Sequence, residues 1–297
     1  MKHLFPVGVA SIMIAGSAFA ADMPVKAPPS PPALSWTGFY IGGTVGDGWG
    51  DQNYVNVVTT NSFLNPLLTT LGTPAGLASA TTSSGVVGAG KNGGVTGGFE
   101  AGYNYQFESY NLVVGLETDI ESLSGRGSGS VTQTTQQALG FNYTSTIAVS
   151  DHLHYLGTVR GRVGFLPTSS FLTTTSLLAY VTGGLAYGGA SSSTAITGAE
   201  TPNTDSTNIA GAGTFSGTRI GYTFGGGFEW MLDRNWTVKA EYLHYDLGTA
   251  TYSNGRMSAF ATNQSNLPLG AVSFSDLSTS SVEFSGALVR AGVNYKF

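Results

Sequence analysis

The stretch Tyr155-Leu-Gly-Thr-Val-Arg-Gly-Arg-Val-Gly-Phe165 has two unlike faces when read with a period of two. Tyr155, Val159, Val163 and Phe165 share one face; Thr158, Arg160, Arg162 and Gly164 share the other. A β-strand sends successive side chains to opposite sides, so this strand carries an oily face and a face with two guanidinium groups. In a soluble sheet the oil would face a dry interior and the arginines water. A membrane-spanning barrel reverses this, with lipid outside and a polar lumen.

Composition favours the second arrangement. Charged residues are 10% of the 297, against roughly 25% in ordinary soluble domains, while hydrophobic residues, at 41%, are not in excess. The 43 glycines, with Ser, Thr and aromatics, fill the gap. The chain has no cysteine, which excludes disulfides and thiolate metal sites. A net charge of −5 argues against a nucleic-acid partner, which would need a basic face.

The first residues read as an export address. Lys2 and His3 precede a mostly apolar run from Leu4 to Ile14, and Ala18-Phe19-Ala20 fits the small-x-small cleavage rule. A signal peptide over 1–20 is expected. The run is too short for a membrane helix, which needs about 20 apolar residues, and no later stretch is long enough either. Residues 21–35 include Pro-Val-Lys-Ala-Pro-Pro-Ser-Pro-Pro, which cannot pair in a sheet because proline lacks the donor. They read as a periplasmic leader to a barrel over 36–297.

Eight alternating segments follow, at 36–48, 94–107, 110–121, 153–166, 176–188, 218–231, 236–248 and 282–297. Their links alternate in length. Glu108-Ser109, 167–175 and 232–235 are short; 49–93, 122–152, 189–217 and 249–281 are long and rich in Ser, Thr, Gly, Asn and Ala. This alternation is the pattern of an antiparallel up-and-down transmembrane barrel with periplasmic turns and extracellular loops. Trp36, Tyr103, Tyr105, Phe107, Tyr110, Phe165, Phe171, Trp230, Trp236, Tyr295 and Phe297 cluster at the short-turn side and are expected to form an aromatic girdle at the headgroups.

A lipid-facing Arg or Lys at the midplane costs about 2–4 kcal/mol, so mid-strand charges should avoid the apolar faces. They do. Glu100, Glu117, Asp119, Glu229 and Glu241 alternate against the apolar residues of their strands, as do Arg160, Arg162, Lys239 and Arg290. Five acids and four bases in a narrow lumen must pair, and Arg160 and Arg162 are expected to meet Glu117 and Asp119. An eight-stranded interior is just wide enough to be filled by side chains.

Other motifs carry less. Gly85-Val-Val-Gly-Ala-Gly-Lys91-Asn92 approaches a phosphate-cradling loop, but Asn92 stands where Ser or Thr is required and a strand follows where a helix should. His152 and His154, beside Asp151, alternate onto the lumen side and are weighed as metal or haem ligands against a solvated loop edge. No serine sits in a nucleophile elbow, so neither an enzyme nor a cofactor is expected. The expected partners are outer-membrane lipid and lipopolysaccharide, bound by a monomer.

The segments Trp36-Thr-Gly-Phe-Tyr-Ile-Gly-Gly43, Val113-Val-Gly-Leu-Glu-Thr-Asp-Ile120, Gly157-Thr-Val-Arg-Gly-Arg-Val-Gly164, Gly225-Gly-Gly-Phe-Glu-Trp230, Val238-Lys-Ala-Glu-Tyr-Leu-His-Tyr-Asp-Leu-Gly248 and Gly292-Val-Asn-Tyr-Lys-Phe297 together resemble the small outer-membrane immunogenic proteins of Gram-negative bacteria. The resemblance covers all eight segments and none of the long links. It implies an OmpA-like eight-stranded barrel inserted by the barrel-assembly machinery through a C-terminal aromatic, here Phe297. Members are described as surface antigens, envelope-stabilising or porin-like proteins, and some relatives as haem binders. The role expected here is structural and surface-exposed; a small porin is the alternative, with loop-borne haem or host-surface binding behind it.

Overall fold

A computed structural model describes residues 34–51, 54–63, 83–90, 93–136, 142–167, 176–201, 208–261 and 272–297. The expected signal peptide, most of the leader, Phe171, and Lys91 and Asn92 of the glycine motif lie outside these residues. The described chain is almost entirely strand: β1 (Gly38–Gly50), β2 (Tyr54–Phe63), β3 (Gly85–Gly88), β4 (Gly94–Phe107), β5 (Leu112–Leu123), β6 (Arg126–Gln136), β7 (Asn142–Phe165), β8 (Leu177–Thr201), β9 (Ile209–Met231), β10 (Trp236–Ala261) and β11 (Val272–Lys296). Among the described residues the one helical turn is the 3-10 segment Glu108–Tyr110, ended by Asn111 at a left-handed φ of 51°.

At the short-turn end eight strands close a ring in the order β1-β4-β5-β7-β8-β9-β10-β11, all antiparallel, and β11 returns to β1 from Tyr40↔Lys296 to Gly50↔Gly286. Closure leaves this ring without an edge strand. Higher up, beyond Gly50, β2 continues the path of β1 along β11, pairing at Val55↔Val282. In the same way β6 continues β5 along β7, from Gln136↔Asn142 to Arg126↔His152.

The long links therefore carry strand over much of their described length. β7 to β11 run 23–26 residues, about twice the 9–11 that cross a bilayer. The upper half stands beyond it.

Polarity inverts between the two halves. Below, Phe99, Leu116, Val163, Leu185, Phe228 and Val289 are exposed on the outer face, and the lumen holds charge. Above, Val55, Val57, Val87, Tyr143, Ile147, Ile196 and Met257 are buried in one apolar cluster inside the wall. The outer face there is hydroxylated, with cross-strand pairs Thr132–Thr146 and Thr134–Thr144 at 2.9 Å and Thr251–Ser281 at 3.0 Å. Each half turns toward its solvent what that solvent accepts: lipid takes grease, and water takes hydroxyls.

The aromatic girdle needs one correction. Tyr103, Tyr105, Phe107, Tyr110, Phe165, Trp230, Trp236, Tyr295 and Phe297 are exposed at the short-turn side, whereas Trp36 is 1% exposed. Trp36 precedes β1 and turns inward against Val113, Leu166, Leu178, Tyr180 and Met231, its backbone N–H donating to Gln106 Oε1 at 2.8 Å. An indole this large removes more apolar surface from water in the mouth of the barrel than at its rim.

Candidate functional site

The lower lumen is occupied by its own walls. Adjacent strands place Glu117 of β5 opposite Arg160 of β7, and Glu241 of β10 opposite Arg290 of β11. Arg160, fully buried, bonds Asp119 at 2.7 Å, Glu241 at 2.9 Å and, at closer range, Glu117. Its Nε donates to Thr158 Oγ1 at 2.9 Å. Arg162 reaches Glu229 at 2.5 Å and Glu117 at 3.3 Å, with its guanidinium 4.0 Å from the centroid of the Tyr180 ring. Lys239 meets Glu100 at 2.5 Å and Glu117 at 3.1 Å. Arg290 bonds Glu241 at 2.5 Å and Asp119 at 2.8 Å, and also holds Glu121.

Glu117 is the hub. All four cations lie within 3.7 Å of its carboxylate, and Tyr40 donates its hydroxyl to Oε2 at 2.6 Å. Neutral donors add to the shell: Tyr180 to Glu241 at 3.1 Å, Thr237 to Glu229 at 2.6 Å, Thr44 to Glu121 at 2.9 Å and Asn294 to Glu229 at 3.2 Å. Ions taken out of water are tolerated only when paired and hydrogen-bonded. Here each cation has at least two carboxylates.

Glycine makes the room. A Cβ on Gly42 would fall 1.8 Å from Asn294 Oδ1, and one on Gly102 would fall 2.4 Å from the Tyr40 hydroxyl. At Gly184 the obstacle is the backbone oxygen of Val159, at 2.1 Å. Lumen glycines thus serve both as space for a neighbour's side chain and as points of close strand approach.

Nearly all of the chain fits one family description. Residues 9–297 match the outer membrane protein beta-barrel domain. The chain belongs to that outer-membrane β-barrel family. Its family relatives include the 31 kDa outer-membrane immunogenic proteins of Brucella melitensis biotype 1 and Brucella suis biovar 1, each 32% identical over 254 residues, which are 84% of this chain and 88% of the relative. Among solved barrels, the outer membrane protein OprG of Pseudomonas aeruginosa aligns at a TM-score of 0.38 and 11% identity, over 89% of this chain and 98% of that one. Neisserial surface protein A aligns at 0.30 and 14%, over 88% and 98%.

In this family member the structure brings together all nine charged residues that alternation places in the lumen. It adds Glu121, which sequence reasoning missed because its strand was ended at that residue. Counting on from Glu117 and Asp119 would have found it. Tyr40 and Tyr180 were missed because a tyrosine counts as apolar in an alternation pattern. Arg219 is a different case, since its guanidinium serves the backbone carbonyls of Leu247 and Thr249, at 3.4 and 2.7 Å, rather than a carboxylate.

The lumen-side placement of the histidines is overturned. A register shift between Leu153 and Tyr155 inverts the parity of β7 above it. Asp151 and Leu153 point in, at 3% and 7% exposure, while His152 and His154 lie on the outer face. Among the described residues no group of three metal-ligating side chains occurs. Phe297, at the ring's closure, donates its N–H to Phe39 O at 3.0 Å, and its exposed ring lies 5.2 Å from that of Tyr295.

Proposed function

We propose that this barrel is a closed, surface-exposed wall element of the outer membrane rather than a pore or an enzyme. One observation supports the reading: a buried ion cluster occupies the lumen within the membrane and a buried apolar cluster lies above it. Ions crossing would have to displace Arg160 and Arg290 from carboxylates and then pass the packed apolar cluster, two costs of opposite chemistry. The hydroxylated upper half is what the cell presents outward, in keeping with a relative called an immunogenic protein. A ring that closes on itself leaves no edge in the spanning part to recruit a second copy, which supports a monomer among lipid and lipopolysaccharide. The exposed Phe297 at the end of the closing strand is suited to recognition by the assembly machinery.

Planar-bilayer recording tests the reading. The folded protein should give no stable openings at physiological salt. Steady openings from the unmodified barrel would replace the closed wall with a small porin.

A further inference from the structure

Above the ion cluster, basic side chains on the upper half are mostly committed. Arg219 donates to two carbonyls and Arg256 donates to Ser275 Oγ at 3.0 Å. Arg126 is different: it is exposed on the outer face, opposite His152 in the β6–β7 register, and among the described residues it has no carboxylate within salt-bridge distance. The register shift that turns His152 outward turns His154 with it, and their rings lie 4.1 Å apart. Asp151, the one acid between these groups in sequence, faces inward.

Height matters as much as charge. Going up β7, the outward apolar series Phe165, Val163, Val159 ends at Tyr155, and His154 and His152 come next. Tyrosines mark the headgroup layer, so the trio sits where outer-leaflet headgroups carry their phosphates. Ser191 Oγ, 3.0 Å from His154 Nε2, adds a hydroxyl from β8.

We propose that Arg126 and His154, the exposed members of this trio, form an outward-facing site for the phosphate of an outer-leaflet lipid headgroup, with the half-buried His152 packed beside them. Arginine suits phosphate because its planar fork matches the oxygens, and a second cation can be drawn from the histidine pair when a phosphate approaches. The groups facing His152 from its neighbours are Arg126 on β6, Ser191 on β8, His154 on its own strand and the Leu123 backbone, which hydrogen-bonds the ring and partly offsets the lowering that follows. Burial, then His154, then Arg126 hold the His152 imidazole below its ordinary range. A bound phosphate reverses that balance. The bound imidazole titrates higher than the free one, so affinity is complete below the free value and falls as pH rises through the bound one.

The proposal deepens the wall reading and rests on the barrel being embedded up to Tyr155. The test uses the full barrel in detergent micelles, titrated with phosphorylated lipid A, with dephosphorylated lipid A and with inorganic phosphate, at pH 5.5 and 7.5. Phosphorylated lipid A should bind more tightly at the lower pH, and Arg126→Ser or His154→Ala should each weaken it by roughly tenfold, the scale of one charge-assisted bond. Arg256→Ser should leave it unchanged. Equal binding of the two lipids, inorganic phosphate binding as tightly as the lipid, or indifference to both substitutions would each overturn the site. Heat-modifiable migration of every variant is checked alongside, because its loss would indict the embedded barrel and not the phosphate site.

Discussion

Replacing Glu117 with glutamine keeps the shape of the hub and removes its charge. In the native lumen that carboxylate faces Arg160, Arg162, Lys239 and Arg290 at once. Removing one partner of a buried ion pair costs about 3–5 kcal/mol, and here the loss falls on a residue 2% exposed, where no water can substitute. With a urea slope of about 2 kcal/mol/M, the unfolding midpoint of the detergent-embedded barrel should fall by roughly 2 M, read by tryptophan fluorescence. Glu100→Gln is the matched control. Glu100 meets Lys239 at 2.5 Å and Arg290 at 3.8 Å only, so its midpoint should fall by clearly less. The hub also predicts that a charge swap fails. Arg160→Glu combined with Glu117→Arg sets a new guanidinium among three remaining cations, and stability should not recover. A swap that restores the midpoint, or a Glu100→Gln loss equal to that of Glu117→Gln, would refute the hub and leave a set of private pairs.

Trp36→Ala empties the periplasmic mouth and should cost about 3–5 kcal/mol, with heat-modifiable migration retained at low temperature. Gly42→Ala drives a methyl onto Asn294 Oδ1 and sits 2.7 Å from the Val293 carbonyl; overpacking of this kind costs about 1–3 kcal/mol, and adding Asn294→Ala should recover only part of it in the same unfolding assay. In the turn before β10, Asp233 accepts from the N–H groups of Asn235 and Trp236, both at 2.8 Å, and these bonds hold its carboxyl below the ordinary value. A depressed carboxyl contributes above its unfolded pKa and is lost as pH falls through the folded one, so Asp233→Ala should flatten the turn's response to acid below about pH 4, seen as amide exchange at Asn235 and Trp236.

The spanning half was legible in the sequence because lipid enforces strict alternation there. β4 falls at Gly94–Phe107, as alternation alone places it, and every lumen charge lies on the expected face. The upper half was harder to read. Its outward residues are Thr, Ser, Gly and Ala, which are also the residues of loops, so the alternation of Tyr143, Ile147 and Val149 against small polar neighbours passes for low complexity. Bulges compound this. One extra residue near Leu153 reverses the face of everything beyond it, so simple alternation places the histidines in the lumen. Trp36 lies on the lumen parity of Tyr40, yet its place at the start of the barrel reads as girdle. The cluster's hub has no sequence signal at all, since six like acids alternate equally well and three-dimensional convergence alone makes Glu117 the centre.

The extended wall bears on how an immune system would meet this protein. On a floppy loop an antibody can grip consecutive residues. On a paired strand it sees every second one, interleaved with residues from the strands on either side. Antibodies raised against peptides copied from 126–153 would then miss the folded barrel, and a binder selected on the folded barrel would read mosaics such as Thr132, Thr134, Thr144 and Thr146, present only while β6 and β7 stay paired.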